Sequence, residues 1–200
     1  MTTLLFIGDG PRDLAMLPGL VEGILQARFD RQCRDWHAIR LNRGKGFGRK
    51  LLFAVRQARD ARWDGVVAVV DADNDRHGER LKELKAARSA DRAKTPAFPT
   101  ALGQVFPHGE AWLLDDPVAV RLTLRLIGDV AMPNVSRITN PKESLHELVA
   151  GSERADEKYL LLIEEMARQI SSARCVHAAE TGFKDFVEEV EAELGPLASG

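Results

Sequence analysis

"GVVAVVDADND", residues 65–75, runs a glycine and five apolar residues straight into three carboxylates, Asp71, Asp73 and Asp75. An uninterrupted Val/Ala run reads as a strand covered on both faces, the habit of parallel sheets. Side chains at i and i+2 of a strand share a face, so Asp71 and Asp73 are expected to point together at one site past the sheet edge. Crowded carboxylates repel one another and resist losing water, a cost that a cation relieves. A lone Asp after a strand more often caps the next helix. Three on one strand end, with Asp9 matching them at the end of another apolar run, are expected to bind a metal.

Working outward, "TLLFIG" (3–8) ends in Gly-Asp-Gly-Pro and reads as a second buried strand entering a tight turn. Leu14, Leu17, Leu20, Val21, Ile24 and Leu25 then recur at helical spacing, with Pro18-Gly19 expected to kink or break the run. "WHAIRL" (36–41) alternates as a strand does, and "TALGQVFP" (100–107) offers another. A helix carrying Leu51, Leu52, Val55 and Ala58 separates the strands at 36–41 and 65–71, and the polar amphipathic "DRHGERLKELKAAR" follows the acidic stretch. Alternation of strand and helix predicts an α/β fold: a mostly parallel open sheet of about four strands, with right-handed crossovers and a site at the carboxyl ends of the strands. Beyond Asp116 the text is helical, with starts marked by Asp116-Pro117 and Asn140-Pro141. The expected organisation is an α/β core, 1–116, and a helical extension, 117–200, packed on it.

The 200 residues carry 28 Lys/Arg against 30 Asp/Glu, so the chain is not a general polyanion binder. Local charge is uneven: seven basic against three acidic residues from Arg76 to Lys94, five against eleven from Ala150 to Gly200. Cys33 and Cys175 form no ligand pair and read as reduced thiols, which with the lack of a 20-residue apolar run points to a cytoplasmic protein without a membrane span. The histidines His37, His77, His108, His146 and His177 show no ligand spacing and default to structural roles, although His77 and His108 lie near the acidic stretch.

Four segments in order, "DGPRD" (9–13), "DADND" (71–75), "EAWLLDD" (110–116) and "NPKESL" (140–145), resemble the Toprim domain of topoisomerases, primases and OLD-type nucleases, and more specifically a group of small Toprim-like bacterial proteins. The first segment departs from the family's Glu-Gly-x-Thr-Glu, keeping both acidic positions, Asp9 and Asp13, each shorter by a methylene. The resemblance implies a general acid/base at Asp9, Mg²⁺ (or Mn²⁺) held by Asp71 and Asp73 with Asp9, Asp13 as an auxiliary ligand, and Glu110 as either a further ligand or a helix cap. Trp112 reads as core. Lys142 takes the place of the family's Pro-Lys, where a cation would offset charge developing on a phosphoryl group. The implied activity is a metal-dependent nuclease or nickase acting on nucleic acid, DNA first, in bacterial (phage) defence with an ATPase partner protein. "VEG" (21–23) mimics the first motif but falls inside the helical run.

"RGKGFGRK" (43–50) carries alternating glycines and four cations, so Arg43, Lys45, Arg49 and Lys50 are candidates to contact a nucleic-acid backbone, with a solvated loop the equal alternative. The stretch fits neither the P-loop nor the dinucleotide fingerprint. A calcium loop starting at Asp71 is excluded by Arg76 and Lys82 at positions that need Gly and Glu. Two alternatives to the nuclease stand: an Asp-x-Asp phosphohydrolase, disfavoured by Asp75 in the Thr place, and a non-catalytic subunit, favoured by the shortened Asp9.

Overall fold

A computed structural model describes residues 2–41, 45–72 and 78–198. The chain is an α/β protein with four strands, β1 (Thr3–Gly8), β2 (Asp30–Asp35), β3 (Gly65–Asp71) and β4 (Thr100–Val105), all parallel, in the order β2-β1-β3-β4. Helices α1 (Pro11–Leu25), α2 (Phe47–Asp60) and α3 (Glu79–Arg92) connect them, and α4 (Glu110–Leu114), α5 (Pro117–Leu124), α6 (Pro141–Ala150), α7 (Tyr159–Gln169), α8 (Ala178–Thr181) and α9 (Phe183–Ala198) follow. Among the described residues no helix is long and apolar enough to cross a membrane.

The period-2 alternation of the strands divides the interior into two layers. Leu4, Phe6, Val67, Val69, Ala101 and Val105 face α1 and the C-terminal helices, while Leu5, Ile7, Val66, Ala68, Val70 and Leu102 face α2 and α3. Every residue of β3 is buried, as the unbroken apolar run requires. The helices beyond Asp116 share the first of these cores with the sheet, Asp116 and Asn140 capping α5 and α6 through their side chains as expected.

Two local expectations are corrected. The second strand is the polar "DRQCRD" and not "WHAIRL". β2 is a sheet edge whose first five residues are exposed, so it shows no apolar alternation, while Trp36 and Ile39 insert from the following loop into the α2/α3 layer. Nor does Pro18 break α1. A proline removes the donor for the carbonyl four residues earlier; that carbonyl, of Leu14, is faced instead by the Cys33 thiol at 3.9 Å.

β4, the other edge, is closed by side chains. The Glu189 and Glu193 carboxylates of α9 accept from the Leu102 and Thr100 amides (3.4 Å each), and Arg88 donates to the Thr100 carbonyl (2.7 Å) while pairing with Glu189. A next strand would make the same kinds of bond, and here that place is taken.

Candidate functional site

β1 leads by α1 to β2 on one side, and the chain then crosses back to place β3 on the other. The point where strand order reverses leaves a crevice at the carboxyl ends. Asp9 follows the last residue of β1, Asp71 ends β3, and His108 and Glu110 follow β4. The crevice is a cleft of about 380 Å³ lined by Asp9, Arg12, Asp13, Asp71, Glu110 and Lys142 with Leu160 at its rim. The structure therefore brings together five of the residues singled out in the sequence from four distant segments. Asp73, Asp75, His77 and Arg43 lie outside the described residues.

The carboxylates are held by backbone. Asp9 Oδ2 accepts from the Asp71 amide at 3.1 Å, and Asp13 Oδ2 from the Asp9 amide at 2.8 Å. Gly8 is required here, because a Cβ on it would lie 2.6 Å from Asp13 Cβ. Asp71 is buried; its Oδ2 lies 3.2 Å from His108 Nδ1, and its Oδ1 has no hydrogen-bond partner among the described residues. Burial raises the Asp71 pKa and the Asp9 charge adds to this, while His108 and Lys142 pull the other way. Burial, reinforced by the Asp71 charge, pushes Asp13 up to about 7, against the Asp9 amide, which favours its ionised form.

Glu110 is nearly fully buried and takes Arg12 as its counterion, Nη1 to Oε1 3.3 Å, so one of its oxygens is committed to a salt bridge. Arg12 also lies over the Tyr159 ring, 5.8 Å from its centroid. The Tyr159 hydroxyl is buried without a partner among the described residues, and burial together with the Glu110 charge pushes its pKa up to about 12. Trp112, buried as expected, donates from Nε1 to the Thr181 carbonyl at 2.7 Å and stacks on Phe186.

Among the described residues no group of three or more His, Cys, Asp or Glu side chains is arranged to hold a metal ion. Mg²⁺ does not demand such a cage, being commonly held by one or two carboxylates with water and substrate phosphate completing the shell. The residues fit such an ion through Asp71 Oδ1: a buried carboxylate oxygen without a donor is costly unless a cation meets it.

The described part of the basic stretch is not all loop, since α2 begins at Phe47; Leu41, Lys45, Gly46, Phe47 and Lys50 line a second cleft of about 290 Å³. Lys50 donates to the Trp36 carbonyl, Arg49 is exposed, and the Phe47 ring packs edge-on to Trp36 at 5.2 Å. Arg80 joins the two clefts, lying over Phe47 at 5.2 Å while donating to the Asp71 carbonyl at 2.8 Å. Sequence reasoning did not single out Arg12, Arg80 or Tyr159 and gave His108 a structural default. Of these, His108 had a usable signal, since it follows a strand end as Asp9 does.

Compared with family models, with curated proteins and with solved structures, the chain gives no significant match in any of the three.

Proposed function

We propose that this chain is a Toprim-like, divalent-metal-dependent phosphodiesterase that nicks or cleaves nucleic acid, DNA first. The observation that carries the reading is the buried Oδ1 of Asp71, without a partner among the described residues, at the strand-order reversal, in a cleft that also holds Asp9, Asp13 and Lys142. Asp71 and Asp9, with Asp73, would hold Mg²⁺ or Mn²⁺, and Asp13 would stand behind them as an auxiliary carboxylate. The bound ion would supply Lewis-acid activation of a phosphodiester and of its attacking water. Lys142, close enough to stabilise ionised Asp71, would offset charge that builds on the phosphoryl oxygens. Lys45, just before α2, and Arg49 and Lys50, in its first turn, beside the Phe47 ring that Arg80 links to Asp71, would contact flanking phosphates, with Arg43 nearby in sequence. A role in bacterial defence with an ATPase partner rests on the resemblance of the four motifs alone.

A second reading, a non-catalytic metal- or partner-binding subunit, is favoured by one fact: Asp9 Oδ2 already serves the Asp71 amide, which gives Asp9 a structural use. Incubation of the protein with supercoiled plasmid and Mg²⁺ or Mn²⁺, beside Asp9→Ala, Asp71→Ala and an EDTA control, separates the two. Metal-dependent nicking lost in both variants is the expected result. Plasmid binding without cleavage supports the second reading, and turnover of small phosphoesters alone refutes both.

A further inference from the structure

We propose that His108 is a positioning residue for Asp71, fixing which of its two oxygens is offered to a cation; this rests on the metal-dependent reading above. Facing an ionised carboxylate, His108 Nδ1 must carry the hydrogen, because two acceptors do not bond. The Nδ1–H then donates to Asp71 Oδ2 across 3.2 Å and holds the carboxylate in one rotamer. The other oxygen, Oδ1, is left buried and, among the described residues, unpartnered. The elements that carry the two groups are themselves locked together: β3 and β4 pair through Asp71 and Val105, and the Ala72 amide donates to the Val105 carbonyl at 2.9 Å. His108 therefore approaches Asp71 from a fixed base three residues past β4. On its other side, the Gly109 backbone lies against Met16, where a Cβ would come within 2.6 Å of the methyl carbon. The loop is thus seated on α1 as well as on the sheet. Groups that orient a metal's carboxylate are typically worth about 10–100-fold in metal affinity.

The geometry makes a distinction that a merely space-filling histidine would not. An asparagine places its amide nitrogen two bonds beyond Cβ, as the histidine places Nδ1, whereas a glutamine reaches instead to the position of Nε2. Mn²⁺ affinity measured by titration calorimetry on the full chain is expected to stay near wild type in His108→Asn and to fall about 10–100-fold in His108→Gln and His108→Ala. In an Asp71→Ala background, His108→Gln should change affinity no further, which ties the effect to Asp71. Thermal melting of each variant reports folding, and the Asn/Gln comparison stands even where the Ala variant unfolds. Equal Mn²⁺ affinity in wild type, Asn and Gln forms would overturn the positioning role while leaving the metal site intact. Absence of Mn²⁺ binding to wild type would overturn the metal reading and this role with it.

Discussion

Asp9, at the end of β1, accepts a hydrogen bond from the backbone amide of Asp71, at the end of β3, across 3.1 Å and 62 residues of sequence. The same side chain thus latches two neighbouring strand ends and faces the cleft between them. Latch and charge can be separated by mutation. Asp9→Asn keeps an acceptor oxygen and loses the charge, so it should melt within a few degrees of wild type yet lose metal-dependent cleavage. Asp9→Ala loses both and leaves the Asp71 amide unsatisfied, costing about 1–3 kcal/mol in denaturant unfolding. An active Asp9→Asn variant would remove Asp9 from the chemistry.

Asp13 provides a pH test. Its carboxyl is raised to about 7 in the folded chain by burial and by the Asp71 charge, from an ordinary value near 3.8. Between those values the folded state binds a proton that the unfolded state has lost, so folding stability must fall as pH rises through this window and level off above it. In EDTA, wild type should lose up to a few kcal/mol between pH 5 and pH 8 on this account, and Asp13→Asn should lose less. The comparison is made by urea denaturation at the two pH values. Added Mn²⁺ should restore more stability at pH 8 than at pH 5, because the ion favours the ionised cluster.

The β4 seal predicts a coupling. Arg88 and Glu189 are mostly buried and joined by two contacts, one of them 3.0 Å from Nη2, while Arg88 also holds the Thr100 carbonyl. Removing either partner takes the strongest counter-charge from the other, although Arg88 keeps Glu193 at 3.5 Å, so Arg88→Ala and Glu189→Ala should each cost about 1–3 kcal/mol, with the double variant short of their sum. The expected signature beyond stability is concentration-dependent association of Glu189→Ala/Glu193→Ala, seen by light scattering, as the uncovered strand pairs with another copy.

Trp112 tests the layer beneath the site. Trp112→Phe should cost about 1–3 kcal/mol, since it keeps the stacking on Phe186 but abandons the Thr181 carbonyl. Trp112→Ala should cost about 3–5 kcal/mol and, by loosening α4, weaken the hold of Glu110 on Arg12.

Much of this was legible in the residues. β1 and β3 announced themselves because buried parallel strands must be apolar on both faces, and Asp9 and Asp71 followed because polar residues at such ends have one crevice to enter. Asp116 and Asn140 were readable as caps since a cap is a local event. β2 was not legible: an exposed edge strand has no reason to alternate, and the apolar text nearby belonged to a loop that buries Trp36. Pro18 misled for a similar reason, its local penalty being outweighed by burial of α1 between the sheet and α7. His108 and Arg12 reach the site through long-range contacts, to Asp71 and to Glu110, which no periodicity encodes.

The closure of β4 also has a history in time. The strand is synthesised well before α9, with α4 to α8 emerging between them. Throughout that interval the nascent chain carries an open ladder, and Arg88 waits for a carboxylate that has yet to leave the ribosome. A chain cut short before Phe183 would keep that state permanently, which makes α9 a built-in safeguard against sticking to sibling chains.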